Sequence, residues 1–390
     1  MHIGEYVFSQ LMSFVSTYKF NQCVTRYNGE LRVKQLTCRE QFLAIMFGQL
    51  AFRESLRDIV VCLTAHREKL YHLGFRSLMT LSTLARANER RDWRIYRDYA
   101  LLLIEEARAL YIDDRDAISE LDGAIYAIDS TTIELCMSLF PWAKFSDARA
   151  CVKLHIGIRL SGNIPAFFHI SKGTMHDVNF LDMVLFEVDA FYVMDRGYID
   201  FKRFYRIQLA GAFFVTRAKV NLSRTRMYSN PVNKELGVIC DQIIRLDGYR
   251  ASKDYPEKLR RIKYRDTTTG NVYVFITNNF TVDALTIANL YKSRWQIELF
   301  FKWVKQHLSV KTFWGRSMNA VKTQICIALC AFLVVAIMKK RLGIERDSYE
   351  ILQILSVSLF DKIPLVELIS KHPLQKSDDA IQNGAQLRCF

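Results

Sequence analysis

Three hundred and ninety residues, 50% hydrophobic and 24% charged, suit a folded chain of two or three domains of about 150 residues each and exclude extended disorder. The 54 Lys and Arg against 40 Asp and Glu leave a net charge of +14, which points to a polyanionic partner, either nucleic acid or an anionic membrane surface. Length excludes a membrane span: the longest uncharged apolar run, residues 325–338, is fourteen residues against the about 18–20 required, and Lys339 and Lys340 end it.

At the N-terminus Glu5 comes early and no apolar stretch ends in a small-residue cleavage site, so no signal peptide is expected. Nine scattered cysteines with no CxxC pair imply reduced thiols in a cytosolic protein. Residues 5–70 read as helices with an apolar period near 3.6, for example Phe42, Ile45, Met46 and Leu50. A second helical stretch covers residues 82–110, with Ser82 or Thr83 as its cap. Near Asp122 the texture turns to strands: AIYAIDST, VKLHIGIRL and IPAFFHI, the last two joined by a hairpin at Ser161, Gly162 and Asn163. An amphipathic helix over residues 177–187 follows, then a strand (AFYVMD), a helix (DFKRFYRIQLA) and a strand (AFFVTRA). Interleaved strands and helices predict an α/β sheet with some parallel pairing. Residues 219–278 are β-rich without helices and read as an insertion. One long helix is expected over residues 282–308, an apolar core helix over 323–338, and an amphipathic helix opened by an Asp347 to Glu350 capping box. Cys326 and Cys330, one turn apart in the apolar helix, read as core packing and not as zinc ligands. The last eighteen residues are polar and expected to fray.

No GxGxxG, GxxxxGK[ST], HExxH or GxSxG occurs, which removes the commonest nucleotide, zinc and serine-hydrolase readings. Acids at strand ends remain. Asp129 closes one apolar strand and Asp195 another, and functional groups gather at the carboxyl ends of strands in α/β sheets. Taken singly, each reads better as a turn or cap residue. A third carboxylate shifts the balance. Tyr291, Arg294, Glu298 and Lys305 stand at offsets 0, 3, 7 and 14, which at about 100° per residue fall within one stripe roughly 60° wide. On a continuous helix that stripe is about 21 Å long. Ordinary i,i+4 pairing on a solvated face accounts for Arg294 and Glu298 but for neither Tyr291 nor Lys305. A carboxylate, two cations and a phenol along one solvent-facing edge suit a metal-bound phosphodiester.

The Y-x2-R-x3-E-x6-K spacing resembles the signature of DDE transposases of the insertion-sequence-four family. Asp129 in IDSTT resembles the first catalytic acid of that family and Asp195 in DRGY the second. Lys153-Leu154-His155 and His176-Asp177 are similar to smaller motifs between them. The resemblance covers roughly residues 120–340, and residues 1–75 resemble the N-terminal helical domain of some members. It implies a ribonuclease-H-like catalytic core with a β-rich insertion, in which Asp129, Asp195 and Glu298 are the catalytic, metal-binding acids and Tyr291, Arg294 and Lys305 contact DNA. It implies two Mg²⁺ ions, with Mn²⁺ as a substitute, double-stranded DNA as partner (terminal inverted repeats and target), a homodimer in the synaptic complex, no membrane, and a cytoplasmic, nucleoid-associated protein. The competing readings are a nuclease of the same fold that cuts without rejoining and a domesticated DNA-binding protein.

On that reading the domains are a helical one at 1–75, an Arg-rich helical DNA-binding region at 76–118, the catalytic domain at 119–216 and 276–340, the insertion at 217–275, and a helical C-terminal segment at 341–390. In the Arg-rich region Arg76, Arg86, Arg90, Arg91, Arg94 and Arg97 face only Glu89, Asp92 and Asp98, beside Trp93 and Tyr96. Residues 200–265 hold 16 Lys and Arg against 6 Asp and Glu, +10 of the total +14, and are expected to be the main electrostatic footprint on DNA. His155, His176, Lys302 and Trp303 are left out of the catalytic set.

Overall fold

The computed structural model describes residues 4–114, 121, 123–147, 149–307 and 313–370. The N-terminal part is helical: α1 (Val7–Met12), α2 (Thr17–Arg26), α3 (Cys38–Leu50), α4 (Leu56–Ala65), α5 (Leu81–Arg90) and α6 (Arg94–Leu110). A capping box opens α3, with the Glu40 amide donating to the Thr37 hydroxyl and the Thr37 amide to the Glu40 carboxylate. The stretch expected as one helix over 82–110 is two. Thr80, earlier than either expected cap, receives the Thr83 amide at the start of α5, and extended backbone at Arg91 ends it.

The sheet begins with β1 (Ile125–Leu135), β2 (Lys144–Ser146), β3 (Arg149–Arg159), β4 (Ile164–Lys172) and β5 (Phe191–Met194). It continues through α7 (Phe201–Leu209), β6 (Phe213–Arg217), β7 (Arg224–Asn230), β8 (Val238–Leu246), α8 (Tyr249–Asp254), β9 (Leu259–Arg265) and β10 (Val272–Thr277). The strand order is β2-β3-β1-β5-β6-β10-β9-β8-β7, with β4 also paired to β3. Neighbours β1, β5 and β6 run parallel. The β1–β3, β3–β4 and β6–β10 pairs are antiparallel. The hairpin between β3 and β4 turns at Gly162, whose φ of 71° is left-handed and where a Cβ would meet the Tyr111 ring at 2.3 Å. Strands of the β-rich stretch 217–275 lengthen the central sheet, since β9 pairs with β10 and β10 with β6.

Alternation along the strands buries both faces of the sheet. Tyr126, Ile128, Tyr192, Met194 and Phe214 pack with Phe204 and Ile207 of α7, while Ile125, Val193 and Val215 pack with Ile287 and Leu290 on the other side. The segment 177–187 is not an α-helix: only Asp177–Met183 is helical, and it is 3-10. Val, Asn and two Asp among its seven residues are poor helix formers, so the tighter, shorter turn wins.

The chain ends in α9 (Ala284–Ser293), α10 (Trp295–His307), α11 (Met318–Arg341), α12 (Ser348–Ser358) and α13 (Leu365–Ser370). The helix expected over 282–308 is therefore divided at Arg294. There the Arg294 amide reaches Tyr291 O and the Ile297 amide reaches Arg294 O, a local i→i+3 tightening. The fourteen-residue apolar run lies within α11, whose 24 residues are long and apolar enough to cross a membrane, contrary to the reading from the run alone. Its apolar window is 89% buried inside the protein, against α3, α5 and α6, as a core helix is. Cys326 and Cys330 are buried there, and the eight described cysteines are free thiols. Asp347 caps α12 by receiving the Tyr349 amide, while Glu350 lies 3.8 Å from Arg346 instead of closing a box. The polar tail expected to fray lies outside the described residues, save that α13 precedes it.

Candidate active site

Parallel register places the first two acids. β1 and β5 pair from Ile125 with Phe191 through Ile128 with Met194, and the next residue on each strand is Asp129 or Asp195. Asp195 ends its strand as expected and caps a 3-10 turn, its carboxylate receiving the Gly197 amide at 2.7 Å. Thr216 of β6 donates to the Asp195 carbonyl at 3.0 Å, which ties this corner to the next strand. Asp129 does not end a strand. β1 continues to Leu135, paired with β3 alone, and Asp129 stands opposite Ile156 at the point where the parallel partner leaves. Departure of β5 uncovers one flank of Asp129, which is what makes an interior strand position available for chemistry.

Glu298 comes from the first turn of α10, and Arg294 from the joint before it. The Arg294 guanidinium donates to Asp129 Oδ2 at 3.2 Å and to Glu298 Oε1 at 2.5 Å, so one cation links two of the three acids. Its side chain is only 15% exposed. Burial acts to lower its pKa, but Glu298, Tyr291 and Asp129 hold the guanidinium above its ordinary range. The expectation that Arg294 faces solvent is thus corrected: its fork is engaged by the fold. Tyr291, on α9, is partly buried, its ring tilted against Phe275 at 4.9 Å between centroids and lying under the Arg294 cation at 5.7 Å. Lys305 is half-buried two turns beyond Glu298 on α10.

Burial pushes the Asp129 carboxyl up from 3.8 to about 6; the Ser130 amide and Arg294 pull it down, and the charges of Asp195 and Glu298 push it up again. Asp195 and Glu298 therefore both lie within electrostatic reach of Asp129. An acid whose folded pKa is raised binds its proton more tightly folded than unfolded. As pH rises from about 4 to about 6 the unfolded chain ionises first, and stability is lost across that window. Above it the charged Asp129 costs on the order of 3 kcal/mol relative to its neutral form. Asp129→Asn is therefore expected to stabilise the protein by about 1–3 kcal/mol at pH 7.5, and the gain should vanish near pH 4. Urea unfolding at the two pH values checks this; equal stability of both proteins at pH 7.5 would mean that the fold does not disfavour the charged form of Asp129.

A fourth carboxylate adjoins the group, and sequence reasoning passed it over except as part of a minor motif. Asp177 Oδ1 receives the Ser130 hydroxyl at 2.7 Å and the Lys153 ammonium at 3.0 Å. Lys153 also donates to Met175 O at 3.1 Å, so the residue after Asp129 is pinned to the 3-10 turn through β3. His155 is fully buried, bonded through Nε2 to Ser171 at 2.8 Å, and lowered to about 4 chiefly by burial, so it is a neutral structural ring.

Among the described residues no three His, Cys, Asp or Glu side chains stand close enough together to hold a metal ion. The donor chemistry nonetheless fits a hard divalent cation: three carboxylates, one of them raised chiefly by burial and further by its neighbours' charges, and two already sharing a positive group. The Arg294 fork occupies one oxygen of Asp129 and one of Glu298.

Residues 120–334 match the family described as "Transposase DDE domain", and residues 3–76 match a "Domain of unknown function (DUF4372)". Similar proteins carry transposase names. y4zB of Sinorhizobium fredii is 33% identical over 258 residues, covering 65% of this chain and 70% of that protein. The transposase named for insertion sequence element IS5377 of Geobacillus stearothermophilus is 32% identical over 53% of this chain and 54% of its own length. The one named for element IS4SA of Synechocystis is 25% identical over 70% of this chain and 77% of its own. Among solved structures, a piggyBac transposase synaptic complex with hairpin DNA aligns over 99% of this chain and 85% of that one, at 11% identity and a TM-score of 0.48, a likeness too slight to build on.

Proposed function

The chain belongs to the transposase DDE domain family, and on that premise we propose that it moves an insertion sequence by cutting DNA at the element ends and joining the freed 3′-OH to target DNA. The observation that carries the site assignment is the placement of Asp129 and Asp195 side by side where two parallel strands stop pairing, with Glu298 joined to Asp129 through Arg294 and both Asp195 and Glu298 acting electrostatically on Asp129. The mixed sheet, with an antiparallel β4-β3-β1 half followed by parallel β5 and β6, supports a ribonuclease-H-like core over residues 119–216 and 276–340. The signature at Tyr291, Arg294, Glu298 and Lys305 favours the insertion-sequence-four branch.

Asp129, Asp195 and Glu298 would hold the divalent metal, Mg²⁺ by preference and two ions by the donor count, with Mn²⁺ able to replace it. What the bound metal supplies is activation of the attacking oxygen and stabilisation of the leaving 3′ oxygen. The protein's own side chains do the positioning. The Gly197 amide orients Asp195, and the Lys153–Asp177–Ser130 relay fixes the strand at Asp129. Arg294, once released from its carboxylates, offers a planar two-pronged contact to a phosphate oxygen pair at the cut end, with Tyr291 and Lys305 along the same run. Duplex DNA (inverted repeats and target) is the partner, two copies assemble across the paired ends, and the protein works in the cytoplasm at the nucleoid. The test is end cleavage: purified protein with Mg²⁺ and the DNA flanking its own gene should nick at the inverted-repeat boundary, and no cleavage of that DNA by folded, DNA-bound protein would refute the proposal.

The basic stretch 200–265, with 217–275 as its insertion, is narrower as a DNA surface than its charge count. Arg203 and Arg206 pair with Asp182, Arg250 with Asp254, and the buried Arg260 with Asp241. Exposed Lys219, Arg226, Lys234 and Arg245, on and around the outermost strand β7, are the better footprint. Replacing these four by Gln is expected to flatten the slope of log affinity against log salt by about 0.9 for each phosphate left without its cation. An unchanged slope would remove this strand from the DNA-binding surface.

A further inference from the structure

The helical part, including the stretch that matches a domain of unknown function, contains a second basic feature whose cations are not used by the fold. Six arginines stand between Arg76 and Arg97 in the sequence, and the structure sorts them. Arg76 pairs with Glu40, Arg94 with Asp92 through two prongs, and Arg97 with Asp98. Arg91 donates to the carbonyls of Leu36 and Thr37 and to Gln41, which clamps the loop of residues 27–36 against α5. Those four are structural.

Arg86 and Arg90, at i and i+4 on α5, are exposed and have no ion-pair partner among the described residues. Neither have Arg32 and Lys34, which the clamped loop brings to the other wall. Between the walls lies a cleft of about 640 Å³ lined by all four cations. Asp92 is the acid in its lining, and both of its oxygens are taken by Arg94. The neighbouring acids are turned to backbone: Glu30 receives the Cys38 amide and Glu89 the Arg316 amide. The loop itself is fixed in shape. It passes through left-handed conformations at Asn28 (φ 50°) and Arg32 (φ 60°), the latter rare for arginine, and short backbone bonds among residues 24–33 hold it.

We propose that this cleft is a second DNA-binding site, taking the phosphate backbone of a duplex between the 27–36 loop and α5. The proposal rests on the reading of the chain as a DNA-acting transposase and adds a surface to it. Four cations without ion-pair partners on two walls, with Asp92, the acid of the lining, paired to Arg94, match a polyanion and not a single small anion, and i,i+4 arginines lie about 5–6 Å apart at Cβ, so each meets its own phosphate. The Asn319 amide donates to the carbonyls of Asn88 and Arg91, seating α5 on the start of α11. Duplex held here is therefore fixed relative to the core.

The experiment compares the wild-type full chain with a variant carrying Arg32→Gln, Lys34→Gln, Arg86→Gln and Arg90→Gln, using fluorescence anisotropy on a duplex of the element's end across a salt series without divalent metal. The slope of log affinity against log salt should fall by up to about 3.6, roughly 0.9 for each of the four phosphates. A second reading needs no variant: in wild-type protein, Lys34 should be protected from acetylation by the duplex. An unchanged slope with Lys34 equally reactive in the presence of DNA overturns the cleft while leaving the transposase reading intact. Loss of both effects together with any duplex affinity overturns that reading as well. Better protection by double-stranded RNA of the same sequence would overturn the assignment to DNA.

Discussion

Asp129→Asn, Asp195→Asn and Glu298→Gln are each expected to reduce end cleavage about a thousandfold or more while leaving duplex affinity within a few-fold of wild type. The reason is the geometry of supply. Two acids come from adjacent parallel strands and the third from a helix, so no neighbouring carboxylate can take over the position of a missing one. Asp177, which bonds the residue after Asp129, is committed to Ser130 and Lys153. Because the three act as a unit, a double variant should be little worse than either single one. Duplex binding should survive because the cations proposed to contact DNA outside the site are untouched. Cleavage assays on end-labelled DNA beside a binding titration separate the two effects; a tenfold loss that adds across the three positions would mean they are merely nearby.

Arg294 carries the second large effect. As it stands, the guanidinium competes for the oxygens a divalent ion needs, so Arg294→Gln should tighten Mn²⁺ binding to DNA-free protein. A charge-assisted hydrogen bond in a partly buried site is worth about 1.5–3 kcal/mol, which converts to roughly 10–100-fold in affinity. The same variant should lose end cleavage, because the fork proposed to meet phosphate is gone. Arg294→Lys keeps the charge without the fork and should recover the weak metal binding of wild type but little of its cleavage. Electron paramagnetic resonance of free Mn²⁺ reads the first effect without reference to activity. Weaker Mn²⁺ binding in Arg294→Gln would show that Arg294 organises the acids for metal instead of competing with it.

Much of this site is legible in the sequence because spacing survives folding on short elements. Glu298 stands four residues after Arg294, and that i,i+4 relation holds across the joint between α9 and α10. Asp195 reads correctly as a strand end since β5 is short and apolar throughout. Asp129 misleads: polarity after Ile128 suggests a terminus, whereas β1 continues as a half-exposed strand paired on one side only. The joint at Arg294 is invisible because Tyr291 to Lys305 holds no Gly or Pro, and the break is made by i→i+3 bonding alone. Asp177 reaches Ser130 across a gap of 47 residues, through pairing of β1 with β3, and no local pattern announces it. Sorting the arginines of α5 and α6 into spent and unspent needed the partner of each, because a charge count cannot see Arg91 clamping a loop or Arg260 buried against Asp241.

The most direct measurement is the position of Mn²⁺, by anomalous scattering, in crystals of the protein bound to its own element's end. Manganese is expected within about 2.0–2.6 Å of oxygens from Asp129, Asp195 and Glu298, with Arg294 withdrawn from both carboxylates and turned to phosphate, if the three acids are the metal site. Manganese bound elsewhere, with Arg294 still bridging Asp129 and Glu298 beside the scissile phosphate, would contradict it.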